Sequence, residues 1–317
     1  MKLVTLSQGP KGVAGAVLSD GRVLCLSSAA EMLGVSNAAA FVSVRAMLEM
    51  NLVDTARQMV AKVEADSGLS EKLISGGAIL PSDSPLMAPV PDPSFILAQG
   101  LAYRKHLDEM GVPLPKEPAA LIKVPSSLTG HNQPIVLPPD NPDMVDYEGE
   151  FCAVIGKVCH RVAPEDVYEH IAGYTIMNDV SARDWVAAAL EQGQKQMQAV
   201  LSWNKNLQGK QFPTFTPLGP CLVTRDEIPD PHQLEMTTRL NGEVMQQTSI
   251  GDLIFRVEEF ISYYSHWYKF LPGDVISTGT PGGVGQGRDP KVYMKNGDVI
   301  EVSVTGIGTL RNTVTNS

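Results

Sequence analysis

The chain has 317 residues, of which 43% are hydrophobic and 19% charged, and its formal net charge is −10. This composition is typical of a globular protein with a sizeable core, and the length suggests about two domains. The acidic balance argues against a nucleic-acid-binding protein, because phosphate contacts need clustered Lys and Arg.

The beginning of the chain lacks the apolar stretch of a signal peptide, and no apolar run reaches the roughly 18–20 residues of a membrane span. The four cysteines form no C-x-x-C pair, so we interpret them as buried thiols in a reduced compartment. We therefore expect a cytoplasmic protein without a membrane partner.

Residues 1–85 combine a hairpin signal with helical periodicity. Two apolar stretches flank Asp20-Gly21, a dipeptide that favours a tight hairpin turn. Apolar residues at near-helical spacing between Phe41 and Ala56 predict one or two helices. The Pro- and Ser-rich stretch 78–95 then indicates a domain boundary. We expect a small N-terminal α/β domain over 1–85 and a larger domain over 86–317.

The larger domain is predicted to be rich in strands. Its short apolar segments are bounded by Gly, Pro, Asn and Asp, and Asn241-Gly242 is a second hairpin signal. A short helix ending at Gly111 and helices over 184–200 and 252–270 are predicted between the strands. The expected fold class is α+β, mainly β.

Three carboxylates lie where acidic residues are unusual. Glu148 and Glu150 begin an apolar strand on one face, and Asp179 ends another strand. Like charges this close cannot all stay ionised unaided, whereas a bound divalent cation would offset them. Carboxylates without a nearby His or Cys suit Mg²⁺, Mn²⁺ or Ca²⁺ rather than Zn²⁺. The alternative is a solvated strand face, with Asp179 as a turn residue.

A series of segments resembles, in order, the signatures of the fumarylacetoacetate hydrolase family. They are DYEGEFCAVIGK, GYTIMNDVSARDW, GKQFPTFTPLGP, ISTGTPGGVG and GDVIEVSVTGIGTLRNTV, and the resemblance covers about residues 93–316. It implies a mostly β catalytic domain of mixed sandwich or roll type, usually a homodimer, that acts on 2-oxo acids such as acylpyruvates. It also implies that Glu148, Glu150 and Asp179 are the metal ligands.

The resemblance assigns further residues to the site. Lys210, in GKQF, is similar to the lysine that faces substrate oxygens beside the metal; the alternative is a surface lysine. Arg183, in SARDW, resembles a substrate-side arginine, and the alternative is an ion pair with a neighbour such as Asp184. Gly279 and Thr280, in TGTP, resemble a Gly-rich turn that holds a substrate carboxylate.

The pair His106 and Glu109 bears on the type of reaction. On a helix the two residues share a face, and a His oriented by a carboxylate can deprotonate water; the alternative is a solvated helix face. They lie where the family carries its acid–base dyad, close to Tyr103, which the resemblance places at the substrate. Ala102 and Lys105 depart from the family's frequent Asn and Asp. Because ILAQG also lacks an acid, fumarylacetoacetate itself is not the expected substrate.

The main hypothesis is hydrolysis of a 2,4-dioxo acid to pyruvate and a carboxylic acid. His106, held by Glu109, would take a proton from water, and the hydroxide would attack the distal carbonyl. Lys210 and the cation, Mg²⁺ or Mn²⁺ with Ca²⁺ as an alternative, would stabilise the enolate. The segment 185–209, longer than in compact family members, is expected to shape the substrate pocket.

Two other hypotheses stay open. One keeps the enolate but not the water, as in decarboxylation of oxaloacetate, keto–enol tautomerism or isomerisation of a muconate-type acid. The other is a binding or scaffold protein that retains the fold and a structural metal. The sequence does not identify the 2-oxo acid.

Overall fold

The computed structural model describes residues 1–111, 113–184 and 195–317, apart from the side chains of residues 109, 110, 195–197 and 199. The described helices are α1 (Leu26–Leu33), α2 (Val44–Glu49), α3 (Val53–Ala65), α4 (Ser67–Ser75), α5 (Arg104–Met110), α6 (Lys195–Gln208) and α7 (Val257–Ser265). The described strands are β1 (Lys2–Leu6), β2 (Val13–Val17), β3 (Val23–Cys25), β4 (Ile79–Leu80), β5 (Leu86–Met87), β6 (Ile96–Gly100), β7 (Ala119–Lys123), β8 (Leu128–Thr129), β9 (Ile135–Leu137), β10 (Val145–Asp146), β11 (Gly149–Ile155), β12 (Ile171–Asn178), β13 (Ser181–Ala182), β14 (Thr216–Thr224), β15 (Glu235–Leu240), β16 (Glu243–Ser249), β17 (Val275–Ser277), β18 (Val299–Val304) and β19 (Gly308–Asn316).

One large sheet runs through most of the molecule. Its strand order is β4-β3-β2-β1-β14-β12-β11-β17-β6-β7, with β5 paired to β1 and β8 paired to β14. A small sheet has the order β16-β15-β18-β19-β9, and β10 pairs with β13. Because β1 pairs with β14, the large sheet contains strands from both sides of the predicted boundary. The division into domains 1–85 and 86–317 stays a prediction.

The large sheet is covered on both faces. On one face, Phe151 and Ala153 of β11 share a core with residues of the small sheet, such as Val302. On the other face, Cys152 and Val154 pack with residues of α1 to α4. Every residue of β11 is buried, which is why its sequence reads as one apolar run instead of alternating. The mixed, mainly β fold expected from the sequence is confirmed.

Local turn chemistry predicted both hairpins. β2 and β3 flank Asp20-Gly21, and β15 and β16 flank Asn241-Gly242. Asn241 and Gly242 have φ values of 53° and 84°, the positive values that a two-residue hairpin turn requires. Gly111 ends α5 in the left-handed conformation, with φ at 63°.

Two helices differ from their predicted ranges. α7 is shorter than 252–270, because Glu259 accepts the N–H of Arg256 at 2.8 Å and fixes the helix start at Val257. At the other end, Phe270 already forms an isolated bridge with Cys159. Of the helix predicted over 184–200, residues 185–194 lie outside the described part, and α6 continues to residue 208. Within the described ranges, no helix has the length and apolar character needed to cross a membrane.

Candidate active site

The strand register brings the three predicted carboxylates together. β11 and β12 pair antiparallel with Gly149 opposite Asn178, so Glu148 and Asp179 are the next pair. The Asp179 N–H donates to the Glu148 carbonyl at 2.8 Å. Paired residues and residues at i+2 share a face, so Glu150 points the same way. The three side chains are buried and offer ligand oxygens within 4.8 Å of one another.

Gly149 lets the small sheet approach β11 on the opposite face. A Cβ at this position would lie 2.1 Å from Thr238 Oγ1 and 3.0 Å from Val302 Cγ1. The Gly149 N–H donates to Gln246 Oε1 at 3.0 Å, and the Gly149 carbonyl accepts from the Thr280 hydroxyl at 3.1 Å. The residue between the two acids therefore joins the sheets, while the acids face away from this junction.

Two buried lysines contact the carboxylates. Lys210 Nζ lies 2.7 Å from Glu148 Oε2 and 2.7 Å from Asp179 Oδ2, and it donates to Ser181 Oγ at 2.8 Å. Lys123 Nζ contacts Asp179 Oδ1 and donates to the Lys210 carbonyl at 2.7 Å. The geometry thus places Lys210 among the acids and adds a second ammonium group, that of Lys123.

Lys123 was not among the residues predicted from the sequence to belong to the site. Ala119, Leu121 and Lys123 alternate along β7, so the lysine shares a strand face with two apolar residues. That pattern was an available signal, because a lysine on a buried strand face needs a carboxylate partner. Burial lowers the pKa of Lys123, although attraction to Asp179 opposes that shift.

Arg183 pairs with acids other than the suggested Asp184. Its Nη2 contacts Glu148 Oε1, and its Nη2 and Nε lie 3.0 and 3.1 Å from Asp146 Oδ2. Asp146 also accepts the backbone N–H of Gly285 at 2.7 Å. β10 pairs with β13, which ends immediately before Arg183, so segment 145–148 lies beside Arg183 and supplies both partners.

The pKa values of the two central acids move in opposite directions. Burial raises the pKa of Glu150 well above its usual range, and the charges of Asp179 and Glu148 add to this shift. Burial would also raise the pKa of Asp179, but Lys123 and Lys210 outweigh it and hold the pKa below its ordinary value.

The donor set fits a hard divalent cation. Glu148, Glu150 and Asp179 would hold it with oxygen ligands alone, the preference of Mg²⁺, Mn²⁺ and Ca²⁺. Each carboxylate oxygen has two lone pairs, so an oxygen that accepts a hydrogen bond from a lysine still has one available. The lysines contact Glu148 and Asp179, whereas Glu150 accepts a hydrogen bond from the neutral Ser277 hydroxyl. Which of these ions binds stays a prediction.

The three carboxylates line a cavity of about 250 Å³, which we call the site cavity. Of the residues predicted to act on the substrate, Lys210, Arg183 and Thr280 also line it. His106 lines it from α5 and is half-buried. The side chain of Glu109 lies outside the described residues, so the His106–Glu109 dyad stays a prediction.

Two predicted substrate residues do not line the site cavity. Tyr103 is buried in the core between the sheets, where burial raises the pKa of its phenol. Gly279 has φ at 81°, and a Cβ there would lie 2.4 Å from the Gln99 carbonyl oxygen, so the turn needs glycine to approach β6. Thr280, which lines the cavity, directs its hydroxyl proton to a backbone carbonyl. The roles of these residues in substrate binding stay predictions.

Comparison with known proteins places the chain among enzymes. The sequence model of the fumarylacetoacetate (FAA) hydrolase C-terminal family matches residues 95–315. The human protein named oxaloacetate tautomerase FAHD2B, mitochondrial, is 39% identical over 265 residues, 83% of this chain and 80% of its own. Oxaloacetate tautomerase YisK of Bacillus subtilis is 39% identical over 236 residues, 74% of each chain.

A solved structure supports the same fold. The structure of maleylpyruvate hydrolase from Sphingobium sp. SYK-6, in complex with manganese(II) and pyruvate, superposes with a TM-score of 0.73 at 25% identity and covers 100% of both chains. Similarity in fold and sequence therefore extends over the strands that carry Glu148, Glu150 and Asp179.

Proposed function

This chain belongs to the fumarylacetoacetate hydrolase family, and from that premise we propose a divalent-metal-dependent enzyme that converts a 2-oxo acid through its enolate. The observation that carries the proposal is the buried cluster of Glu148, Glu150 and Asp179, with Lys210 Nζ 2.7 Å from two of these acids. A cation bound to the cluster would supply Lewis-acid polarisation of substrate oxygens.

Keto–enol tautomerism is the reaction that we propose first. A C–H bond at carbon 3 breaks, its electron pair forms the carbon 2–carbon 3 double bond, and the 2-oxo oxygen gains a proton. No water is consumed. Both relatives named above are tautomerases, which favours this reaction over the hydrolysis that the sequence analysis ranked first. His106 lines the site cavity and offers an imidazole for the proton at carbon 3.

Lys210 is suited to stabilise negative charge on the 2-oxo oxygen. Burial alone would lower its pKa, but Asp179 and Glu148 raise the pKa above its ordinary value, so the ammonium stays protonated. Its contacts with Glu148, Asp179 and Ser181 hold Nζ in place before any substrate arrives. Its three N–H groups already have partners in the protein, so Lys210 would act on a developing oxyanion through its fixed positive charge, which does not have to move.

The test uses Mn²⁺-loaded protein and oxaloacetate, with enol absorbance, pyruvate release and pH followed separately. We expect metal-dependent tautomerism that Lys210→Met slows by roughly 10²–10³-fold. Lys62→Met, at an exposed position of α3, is the matched control and leaves the rate unchanged. Absence of metal-dependent conversion of oxaloacetate and of acylpyruvates would refute the proposal and favour a binding or scaffold role.

Hydrolysis of a 2,4-dioxo acid is the second candidate. It is supported by the position of His106 in the site cavity and by the similarity to a protein named maleylpyruvate hydrolase. Products separate the two reactions, because only hydrolysis of acetylpyruvate releases acetate. We expect His106→Ala to abolish acetate release, since the attack of water then lacks its base.

A homodimer and a cytoplasmic location remain predictions. The human relative's name assigns that protein to mitochondria, so a mitochondrial location is the alternative for this chain. Size-exclusion chromatography with light scattering would measure the oligomeric state.

A further inference from the structure

The site cavity changes from charged at its base to apolar at its mouth. The exposed fraction of each lining side chain gives its depth: Glu150 and Asp179 are 1% exposed, whereas Leu101 and Trp203 are 49% and 51% exposed. The two apolar side chains come from separate elements, the turn between β6 and α5 and helix α6. We call Leu101 and Trp203 together the apolar rim.

The backbone holds Leu101 in an unfavourable conformation. Its φ is 53°, in the left-handed region that is uncommon for any residue except glycine. The backbone is held in place on both sides of Leu101. Gly100 ends β6, and the Ala102 carbonyl accepts the N–H of Ile254 at 2.8 Å. Strained residues that the surrounding structure holds in place cluster at ligand sites. Because glycine would suit this turn better, a leucine here points to a role for its side chain.

Helix α6 carries Trp203 and leads directly to Lys210 at the base of the site cavity. Trp203 and Asn206 are three residues apart on the helix, so they share a face, and both line the site cavity. Past the end of the helix, the Lys210 N–H donates to the Leu207 carbonyl at 3.2 Å. Trp203 and Lys210 therefore lie seven residues apart on one continuous segment, the end of α6 and the turn that follows it.

The positive charges of the cavity already have partners. Arg183 pairs with Glu148 and Asp146, and Lys210 pairs with Glu148 and Asp179. Each Lys or Arg that lines the cavity, in the part of the chain described, thus contacts an acid of the protein itself. A second carboxylate at the far end of a substrate would compete with those acids, whereas a hydrocarbon group would meet the apolar rim.

We infer that Leu101 and Trp203 bind an apolar group at the far end of the substrate. The preferred substrate is then a 2-oxo acid with an alkyl or aryl substituent, rather than a dicarboxylate such as oxaloacetate. This inference rests on the proposed function, because it assumes that the 2-oxo acid unit occupies the base of the cavity.

The test measures binding by calorimetry to Mn²⁺-loaded protein, with stable analogues of 2-oxo acids. Oxamate has no tail, N-phenyloxamate carries an aryl tail, and N-oxalylglycine carries a carboxylate tail. We expect N-phenyloxamate to bind at least about ten-fold more tightly than N-oxalylglycine. In Leu101→Ser and Trp203→Ser this ratio should fall below about three-fold. Val200→Ser, 63% exposed on α6 and outside the cavity lining, should keep the ratio of the unaltered protein.

Three outcomes would overturn the inference. If the unaltered protein does not bind oxamate, the proposed function fails, and the inference fails with it. If oxamate binds but N-oxalylglycine binds as tightly as N-phenyloxamate, the inference alone is wrong. If both variants keep the ratio, the apolar rim does not bind the far end of the substrate and the inference is wrong; a change in their mass by light scattering would then assign the rim to a subunit interface.

Discussion

Asp179 is the residue on which the buried charges converge. Lys123 contacts one of its carboxylate oxygens and Lys210 the other, and the Asp179 backbone N–H is bonded to Glu148. Two ammonium groups on one carboxylate explain why its pKa is lowered although it is buried. Loss of either lysine would leave buried negative charge without a full complement of partners.

We expect Lys123→Met to lower the free energy of unfolding by about 3–5 kcal/mol, because breaking a buried ion pair leaves an uncompensated charge. Methionine is of similar length, so the loss reflects charge more than volume. Urea denaturation followed by circular dichroism measures the change. The exposed control Lys62→Met should stay within about 0.5 kcal/mol. A similar small loss for both variants would show that Lys123 adds no net stability.

Glu150→Gln should separate metal binding from the repulsion between the acids. Removal of this charge relieves Asp179 and Glu148, so the metal-free variant should melt at a higher temperature than the metal-free parent. The parent should gain about 2.7 kcal/mol from Mn²⁺ at 100 times its dissociation constant, and the variant much less. Melting curves with Mn²⁺ or a chelator measure both effects.

Glu148→Gln is the informative comparison for that experiment. Glu148 contacts Lys210 and Arg183, so its neutralisation removes attraction as well as repulsion. We therefore expect no rise in the melting temperature of the metal-free Glu148→Gln protein. Equal behaviour of the two variants would contradict the assignment of Glu150 as the acid that most needs a cation.

At the scale of residues, sequence and structure agree where a residue is unusual in itself. Glu148 and Glu150 stood out because acids rarely begin an apolar strand, and their cluster with Asp179 is present. The partners of a charge are harder to predict, as Arg183 and Lys123 show. They depend on which strands are neighbours, and no local pattern carries that information.

At the scale of elements, the large sheet must curve around the site. Asp179 follows β12 and Lys123 ends β7, with β11, β17 and β6 between these two strands. Neighbouring strands lie about 4.8 Å apart, so the spacing across the strands alone would separate the two residues by roughly 19 Å in a flat sheet. The register adds to this separation, because Lys123 lies in line with Gly173 of β12, well before Asp179. The contact between Lys123 Nζ and Asp179 therefore requires a sheet that is concave on the side of the cavity.

We expect Gly149→Ala to destabilise the protein by about 1–3 kcal/mol, because the added methyl group would overlap Thr238. In a double-mutant cycle, Gly149→Ala with Thr238→Ala should recover part of this loss. Gly68→Ala in α4 is the matched control, since the nearest atom to a Cβ there is a side-chain oxygen at 3.5 Å. Equal destabilisation in both Thr238 backgrounds would show that Thr238 is not the contact that matters.

Element boundaries were predictable where short-range chemistry decides them. Asn241-Gly242 specifies its hairpin because positive φ values are needed there, and Gly111 specifies a helix end. The helix predicted over 252–270 is too long, because the aromatic residues of this range keep a helical spacing after the helix has ended. There the bridge between Phe270 and Cys159, residues far apart in the chain, sets the conformation.

At the scale of the whole molecule, the N-terminal strands extend the sheet of the family-matched region. The family match begins at residue 95, whereas β1 to β5 precede it and β1 pairs with β14. The pair Lys2 and Val223 shows how long-range this pairing is. The hairpin of β2 and β3 was predicted from its turn, whereas β1 and its pairing with a strand more than 200 residues later in the chain were not.

The four buried thiols make this continuity measurable. Cys25 ends β3 and Cys152 lies in β11, so they report on the N-terminal and the central strands. An alkylating reagent reaches such a thiol only when the surrounding structure opens. With rates normalised to the unfolded chain, we expect equal protection of both thiols, because the sheet should open as one cooperative unit. Earlier modification of Cys25, mapped by mass spectrometry, would show that residues 1–85 detach first. The ratio of the alkylation rates of Cys25 and Cys152 thus measures whether the N-terminal and central strands unfold together.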